Sequence, residues 1–188
     1  GSGKTLAFLI PILMKIDQLP SRPLVLKKMD GPLALVLAPT RELAQQIEKE
    51  AEELIDEWGK NCEVASIVGG HSIEEISLQV SQGTDILVAT PGRLIDCLEN
   101  HVLTLGKVET LVLDEADRMI DMGFEEQVTS ILGNLTQKRQ TMMFTASMTP
   151  GTEKIAAGYL KNPVRVTVSG SQGSTPMIRQ LLEHIVSE

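Results

Sequence analysis

The sequence is short of aromatic residues and cysteines, and each shortage excludes a class of protein. Aromatic residues make up 3% of the 188 residues, too few for a platform of side chains that stacks on the bases of a single strand. Cys62 and Cys97 are the only cysteines, and neither has a second cysteine or a histidine at metal-ligand spacing. A disulfide framework and a zinc site are therefore not indicated.

Long apolar runs and positive charge are also scarce. No run approaches the roughly 20 residues of a membrane-spanning helix, and the N-terminus lacks the pattern of a signal peptide, so we expect a soluble, intracellular protein with no membrane partner. The sequence has 17 Lys and Arg residues and 25 Asp and Glu residues, which gives a net charge of −8. This balance argues against binding nucleic acid through bulk positive charge, so any such contact has to be local.

Short apolar runs alternate with helical patterns along most of the chain. This alternation is typical of an α/β fold in which a mostly parallel sheet is flanked by crossover helices. The predicted strands are Leu33–Ala38, Glu63–Val68, Asp85–Ala89, Thr110–Asp114, Gln140–Thr145 and Val164–Val168. The predicted helices are Lys4–Ile16, Glu42–Trp58, Ile73–Gln82, Gly92–Asn100, Phe124–Leu135 and Gly151–Leu160. We expect one domain over residues 1–168, followed at 169–188 by a linker that starts Gly/Ser-rich and by the start of a missing second domain.

The first five residues, Gly1-Ser2-Gly3-Lys4-Thr5, match the second half of the phosphate-loop pattern G-x-x-x-x-G-K-[ST]. Glycines let successive backbone N–H groups converge on phosphate oxygens, and the following helix adds its N-terminal dipole. In this hypothesis Lys4 neutralises the β- and γ-phosphates, and Thr5 ligates Mg2+. Taken alone, five such residues also fit a Gly-Ser linker.

An acidic pair follows the apolar run that ends at Leu113. Ligands of α/β proteins bind at the carboxyl ends of strands. Asp114 is therefore predicted to hold Mg2+ through its water shell, and Glu115 to orient and deprotonate the water that attacks the γ-phosphate. The alternative is that both acids only favour the N-terminus of a following helix. The N-K-x-D motif of guanine-nucleotide switches is absent from the sequence, which argues against that class. On these residues alone, a small-molecule kinase remains an alternative.

Three more segments follow predicted strands and open predicted helices. They are Thr40 after Pro39, Ser72 with Glu75 in a capping box, and Thr90 with Pro91 at the first helical position. Several helix N-termini should therefore line one edge of the sheet. Their N–H groups, together with Arg41 and Arg93, can bind consecutive backbone phosphates despite the negative net charge. Each segment taken singly is also an ordinary capped helix start.

Asp114-Glu115-Ala116-Asp117 spells the motif that names the DEAD-box RNA helicases, and its companions stand in that family's order. The segments that resemble its RNA-contacting motifs are Pro39-Thr40-Arg41-Glu42-Leu43-Ala44, Gly69-Gly70 and Thr90-Pro91-Gly92-Arg93. Thr145-Ala146-Ser147 resembles its Ser-Ala-Thr coupling motif, with the two hydroxyl residues exchanged. From Gly1 to about Val168 the chain is thus similar to the first RecA-like domain of these helicases, which has the P-loop NTPase fold.

The resemblance implies an RNA-dependent ATPase that couples Mg-ATP binding and hydrolysis to RNA clamping and local duplex unwinding. Lys4, Asp114 and Glu115 would carry the hydrolysis. Asp117 would be hydrogen-bonded to the hydroxyl residues of Thr145-Ala146-Ser147 and link ATP state to strand separation. The implied contacts to the RNA backbone, without base readout, are Pro39, Thr40, Arg41, Gly70, Thr90, Pro91, Gly92 and Arg93. Contacts to 2′-hydroxyl groups are expected to favour RNA over DNA.

The resemblance also implies a second RecA-like domain that supplies arginines to the γ-phosphate and half of the RNA surface. Nothing in these 188 residues matches it, so residues 1–188 alone should hydrolyse ATP weakly and should not unwind RNA. The alternatives are an ATP-gated RNA clamp with little productive unwinding and a DNA-acting helicase. Residues 93–96 and 118–125 are similar to those of a spliceosomal member acting at the 5′ splice site, which implies the nucleus and ribonucleoprotein partners.

The sequence begins inside its phosphate loop, whereas such a loop normally follows a strand in the middle of the sheet. Without that strand, its neighbours would leave buried backbone groups unpaired. We therefore expect either that Gly1 is not where the natural domain starts, or that the isolated fragment is poorly stable. The family's adenine-reading segment would also precede Gly1, so a preference for ATP over GTP follows from the resemblance alone.

Overall fold

A parallel sheet of five strands organises the chain, which a computed structural model describes at residues 3–19, 31–59 and 61–168. The strands are β1 (Ala34–Leu37), β2 (Val64–Ile67), β3 (Ile86–Ala89), β4 (Thr110–Leu113) and β5 (Gln140–Met143). The helices are α1 (Lys4–Asp17), α2 (Arg41–Trp58), α3 (Ile73–Ser81), α4 (Pro91–Glu99), α5 (Ala116–Asp121), α6 (Glu125–Gly133) and α7 (Pro150–Tyr159). The strands are ordered β2-β3-β1-β4-β5, and every neighbouring pair is parallel. The predicted α/β fold is confirmed.

Helices cover both faces of the sheet, which explains why its strands are apolar on consecutive residues. In β1, Ala34 and Val36 belong to one apolar layer, which they share with buried residues of α1 and α2. Leu35 and Leu37 belong to the opposite layer. The helices α3 to α7 contribute to that second layer through Ile76, Leu94, Met119, Ile131 and Ile155.

Five of the six predicted strands are confirmed with slightly shorter bounds, but the sixth, Val164–Val168, is wrong. These residues form no strand, and the side chains of Val164, Val166 and Val168 are 87, 81 and 75% exposed. A strand exists only where a neighbour accepts and donates its backbone hydrogen bonds. Alternating valines predict a sheet face but cannot supply that neighbour. Residues 169–188, the predicted linker, lie outside the described residues, as do Gly1 and Ser2.

All six predicted helices are confirmed, and the short helix α5 was not predicted. Its six residues are too few to show a helical period, and it starts after Glu115, which has a left-handed φ of 47°. The gap expected in the middle of the sheet does not occur among the described strands, because β1 pairs with β3 on one side and β4 on the other. Across residues 3–19, 31–59 and 61–168, no helix is both long and apolar enough to cross a membrane.

Candidate functional site

The residues that follow the five strands lie along one edge of the sheet, because all five strands point the same way. Gly69, Thr90 and Thr40 come shortly after β2, β3 and β1, which are neighbours in one half of the sheet. Asp114 and Thr145 follow β4 and β5 in the other half. The edge is thus divided into a half with the predicted RNA contacts and a half with the predicted catalytic and coupling residues.

Helix α1 places the end of the phosphate loop at the acidic half of this edge. Near its C-terminal end, Lys15 Nζ lies 3.2 Å from Glu109 Oε2 and donates to Thr110 Oγ1 at 3.4 Å, at the amino end of β4. The N-terminus of the helix therefore lies toward the carboxyl end of the sheet. There Phe8 packs against Phe144, just after β5, with ring centroids 5.3 Å apart.

The first turn of α1 holds the part of the phosphate loop that the structure describes. Gly3 caps the helix with a left-handed φ of 69°, a conformation that favours glycine. Its carbonyl accepts the N–H of Ala7 at 3.0 Å. Lys4 and Thr5 are the first two helical residues and are half-buried. The described geometry is therefore a glycine-led helix start at the sheet edge that carries Asp114.

Asp114 is a buried carboxylate directly after β4, with 5% of its surface exposed. Burial raises its pKa above the ordinary value, and the neighbouring Glu115 carboxylate acts in the same direction. The backbone N–H of Glu115, which donates to Asp114 Oδ1 at 3.0 Å, and the charge of Lys4 oppose this rise in pKa. A carboxylate in such a place is stabilised by a cation.

Glu115 occupies an unusual backbone conformation, since a left-handed φ is uncommon outside glycine. It precedes α5 without a side-chain capping bond, which argues against the alternative that it serves only as a helix cap. Its Oε2 instead lies 3.2 Å from Nη1 of Arg118, one turn further along. The Glu115 side chain is 40% exposed, so its carboxylate can reach solvent.

Asp117 connects the end of β4 to the segment after β5. Its Oδ2 accepts the backbone N–H and the hydroxyl of Ser147, both at 2.9 Å. Partial burial raises the pKa of Asp117, but hydrogen bonds, chiefly those from Ser147 and also from the Thr145 hydroxyl and the Arg118 backbone N–H, outweigh this effect and hold the pKa below its ordinary value. The resemblance implied bonds from both hydroxyl residues; the Thr145 hydroxyl contributes to this lowering and also donates to the carbonyl of Ser147 at 2.6 Å. Ala146 between them is exposed.

Three helix starts form the other half of the edge. Thr40 caps α2 by accepting the N–H of Leu43 at 3.3 Å. Ser72 and Glu75 form the predicted capping box at α3. Thr90 precedes α4, where Pro91 takes the first turn as predicted, but its side chain makes no capping bond. The helix N-termini therefore lie where the sequence placed them.

Arg93 joins two of these helix starts. Its Nη1 lies 3.2 Å from Asp96 Oδ2, and its Nη2 donates to the backbone carbonyl of His71 at 2.5 Å. The side chain is 18% exposed, and Nε is buried without a hydrogen-bond partner. An open depression lies beside it, lined by Gly69, Gly70, His71, Thr90, Gly92, Arg93, Asp96 and Phe124. Four of the residues predicted to contact RNA are thus brought together.

Four residues of this edge were missed by the sequence analysis. Arg118 pairs with Glu115, Asp96 pairs with Arg93, and His71 and Phe124 line the depression. Both ion pairs have i,i+3 spacing on a helix, which is a signal that the sequence does contain. His71 contributes its backbone carbonyl, for which no side-chain pattern exists, and Phe124 enters through the packing of α6 against α4.

The fold and this edge define a helicase domain. A family model described as DEAD/DEAH box helicase matches residues 1–155, and the chain belongs to that family. Its sheet, flanked by helices and bearing the motifs at one edge, is the RecA-like fold that the resemblance implied.

Among curated proteins, the chain is similar to the pre-mRNA-splicing ATP-dependent RNA helicase PRP28 of Saccharomyces cerevisiae. The two are 60% identical over 98% of this chain and 33% of the yeast protein. The protein of the same description from Kluyveromyces lactis is 58% identical over 100% of this chain and 35% of its own length. The chain therefore spans about a third of the length of these relatives.

Solved structures agree with this assignment. The crystal structure of the yeast DEAD-box splicing factor Prp28 has a TM-score of 0.83 and 62% identity, covering 86% of this chain and 38% of that one. Prp28 from Chaetomium thermophilum bound to ADP has a TM-score of 0.72 and 52% identity, covering 86% and 37%. The similarity to a spliceosomal member of the family, first noted in residues 93–96 and 118–125, is confirmed.

Proposed function

We propose that this chain is the RNA-dependent ATPase domain of a DEAD-box RNA helicase, which couples Mg-ATP binding and hydrolysis to RNA clamping and local duplex unwinding. The observation that carries the proposal is the single sheet edge. It bears Asp114 and Glu115 after β4, the bonded Asp117 and Ser147 across β4 and β5, and the helix starts at Thr40 and Thr90 beside them.

The residues of the acidic half fit a hydrated Mg2+ and a nucleotide. Asp114 is a hard oxygen donor, buried, with a raised pKa and the charge of Lys4 nearby, and Mg2+ prefers such carboxylates. In the proposal Asp114 and the Thr5 hydroxyl hold this ion, which when bound neutralises charge on the phosphate oxygens. Lys4 and the loop of Gly1, Ser2 and Gly3 bind the phosphates.

Glu115 is the proposed base of hydrolysis. Its partly exposed carboxylate lies next to Asp114 and is held through one oxygen by Arg118, which suits a group that has to orient and deprotonate an attacking water. Asp117 and Ser147 form the proposed coupling link, because a change of position at Asp117 would be passed through their two hydrogen bonds to the segment after β5.

RNA is proposed to bind through its sugar-phosphate backbone along the other half of the edge. The residues are Pro39, Thr40, Arg41, Gly70, Thr90, Pro91, Gly92 and Arg93. Helix N-termini and arginines attract phosphates locally, so the net charge of −8 does not oppose such binding. Backbone contacts position a strand without reading its bases, so we expect no base-sequence preference.

Partners and pathway follow from the relatives and from the family. The PRP28 proteins are described as pre-mRNA-splicing helicases. We propose that this chain acts in RNA splicing, in the nucleus, with ribonucleoprotein partners and with a second RecA-like domain of the same protein.

The Glu115→Gln variant of the full-length protein tests the proposal, with Glu126→Gln as the matched control because Glu126 is exposed on α6. ATP turnover with RNA should fall by roughly a hundredfold or more, while RNA stays bound in the presence of ATP. The control should match the wild type. The alternative, an ATP-gated clamp, predicts that Glu115→Gln keeps its biological role, and that result would contradict a turnover enzyme.

A further inference from the structure

Two arginines from other helices lie against the turn between β2 and α3. Gly70, in the middle of this turn, has a φ of 101°, which favours glycine. A Cβ atom added to Gly70 would collide with Nη1 of Arg41, and it would lie 3.3 Å from Cζ and 3.9 Å from Nη2. The guanidinium of Arg41, from the start of α2, therefore occupies the space that a side chain would take.

The next residue of the same turn holds the second arginine. The backbone carbonyl of His71 accepts Nη2 of Arg93 at 2.5 Å, and Asp96 fixes Nη1 of that guanidinium at 3.2 Å. Arg93 belongs to α4, which follows the turn in sequence, whereas Arg41 belongs to α2, which precedes it. Two adjacent backbone positions, 70 and 71, thus lie against both arginines proposed to bind RNA.

From this contact we infer that Gly70 is a positioning residue for Arg41. Its missing side chain lets the Arg41 guanidinium rest against the turn, one residue before the carbonyl that accepts the Arg93 guanidinium. A long arginine side chain loses rotamer freedom when it binds, so a surface that already orients it favours binding. In this inference Gly70, counted above among the RNA-binding residues, acts on RNA through Arg41 rather than by direct contact. The inference rests on the proposed RNA-binding function.

The competing explanation is that Gly70 itself lets the RNA backbone approach closely. The two explanations differ in whether the effect of a Gly70 substitution depends on Arg41. A double-mutant cycle measures this dependence. Gly133, the last residue of α6, provides the matched control, because a Cβ there would meet nothing within 4 Å and its φ is not left-handed.

The experiment measures the Kd of the full-length protein for a single-stranded RNA in the presence of ATP. Arg41→Ala should weaken binding about tenfold. Gly70→Ala should weaken it by a similar factor, and the Gly70→Ala/Arg41→Ala double variant should bind as Arg41→Ala does. In an Arg93→Ala background, by contrast, Gly70→Ala should weaken RNA binding by the same factor as in the wild type, so that the two losses multiply. Gly133→Ala should bind like the wild type.

Melting temperatures of all variants show whether each is folded. The Arg41→Ala background separates backbone strain from the displacement of Arg41, because an effect of strain on the turn would remain when the Arg41 side chain is absent. If the losses of RNA affinity from Arg41→Ala and Gly70→Ala multiply in the double variant, Gly70 does not act through Arg41. The same conclusion follows if the losses from Gly70→Ala and Arg93→Ala do not multiply. If Arg41→Ala and Arg93→Ala both bind RNA normally, the proposed RNA face fails and this inference fails with it.

Discussion

Ser147 donates two hydrogen bonds to one carboxylate oxygen of Asp117, from its backbone N–H and from its hydroxyl, each at 2.9 Å. Asp117 stands three residues after the buried Asp114, and Ser147 follows β5 at the neighbouring strand end. The pair thus links the acidic motif directly to the segment that leads into α7, beside the bond from the Ala116 N–H to the Phe144 carbonyl at 3.0 Å. Thr145 supports it by donating to the Ser147 carbonyl.

Ser147→Ala removes the hydroxyl bond and keeps the N–H bond. Because ATP hydrolysis uses Lys4, Asp114 and Glu115 in our account, we expect the RNA-stimulated ATPase rate to fall at most severalfold, while duplex unwinding falls by about tenfold or more. The matched control is Ser130→Ala, an exposed serine on α6. Equal losses of ATPase and unwinding in Ser147→Ala would show that the pair does not couple the two.

The same pair should make stability depend on pH in a defined direction. The pKa of Asp117 in the folded protein lies below its ordinary value of 3.8, because the Ser147 hydrogen bonds outweigh partial burial. Such a group stabilises the fold above the unfolded pKa, and this contribution is lost as pH falls through the folded pKa. The difference in melting temperature between wild type and Ser147→Ala should therefore be present at neutral pH and shrink below about pH 4. A difference that grows in acid would contradict this assignment.

Arg118 should affect the turnover number of ATP hydrolysis rather than ATP binding. Its ion pair with Glu115 joins two side chains that are 57 and 40% exposed, so it adds little to stability. Loss of this contact frees the Glu115 carboxylate to leave its orientation, and we expect Arg118→Ala to lower kcat by roughly three- to tenfold with KM for ATP unchanged. Arg118→Lys should recover part of the loss.

Lys49→Ala is the matched control for Arg118→Ala, since Lys49 also makes an exposed ion pair, with Glu53 on α2. Its kcat and melting temperature should equal those of the wild type. A higher KM for ATP in Arg118→Ala with an unchanged kcat would show that Arg118 acts on nucleotide binding instead.

The sheet should depend on strand residues that are covered on both faces. Leu111 in β4 is fully buried, whereas Leu78 on α3 is 67% exposed. Leu111→Ala should lower the free energy of unfolding by about 2–5 kcal/mol, through lost burial and the cavity left behind. Leu78→Ala should change it by less than about 0.5 kcal/mol. Denaturant unfolding of both variants checks this, and equal losses would contradict the described packing.

The order of elements and the sheet edge were predictable because α/β periodicity and strand-end motifs are local features of the sequence. Strand pairing is not local. The exposed valines at 164, 166 and 168 have a strand pattern, yet the described sheet gives them no partner. The short α5 was missed for a related reason, since its start depends on the left-handed backbone of Glu115.

The site was predictable where side chains carry the chemistry and unpredictable where the backbone does. Asp114, Glu115 and the helix starts at Thr40 and Thr90 lie where the motifs placed them. The Arg93 bond to the His71 carbonyl and the contact of Arg41 with Gly70 depend on how three segments meet in space. The two hydrogen bonds from Ser147 to one oxygen of Asp117, with the Thr145 hydroxyl donating to the Ser147 carbonyl, likewise depend on how the segment after β5 folds.

The central claim is that this edge couples ATP turnover to the RNA backbone. The most direct test is the steady-state ATPase rate of the full-length protein with single-stranded RNA, with DNA of the same sequence, and with no nucleic acid. We predict that RNA raises the rate well above the other two conditions, and that RNAs of unrelated base sequence do so equally. An ATPase rate that RNA leaves unchanged, or that DNA raises as much, would contradict the account.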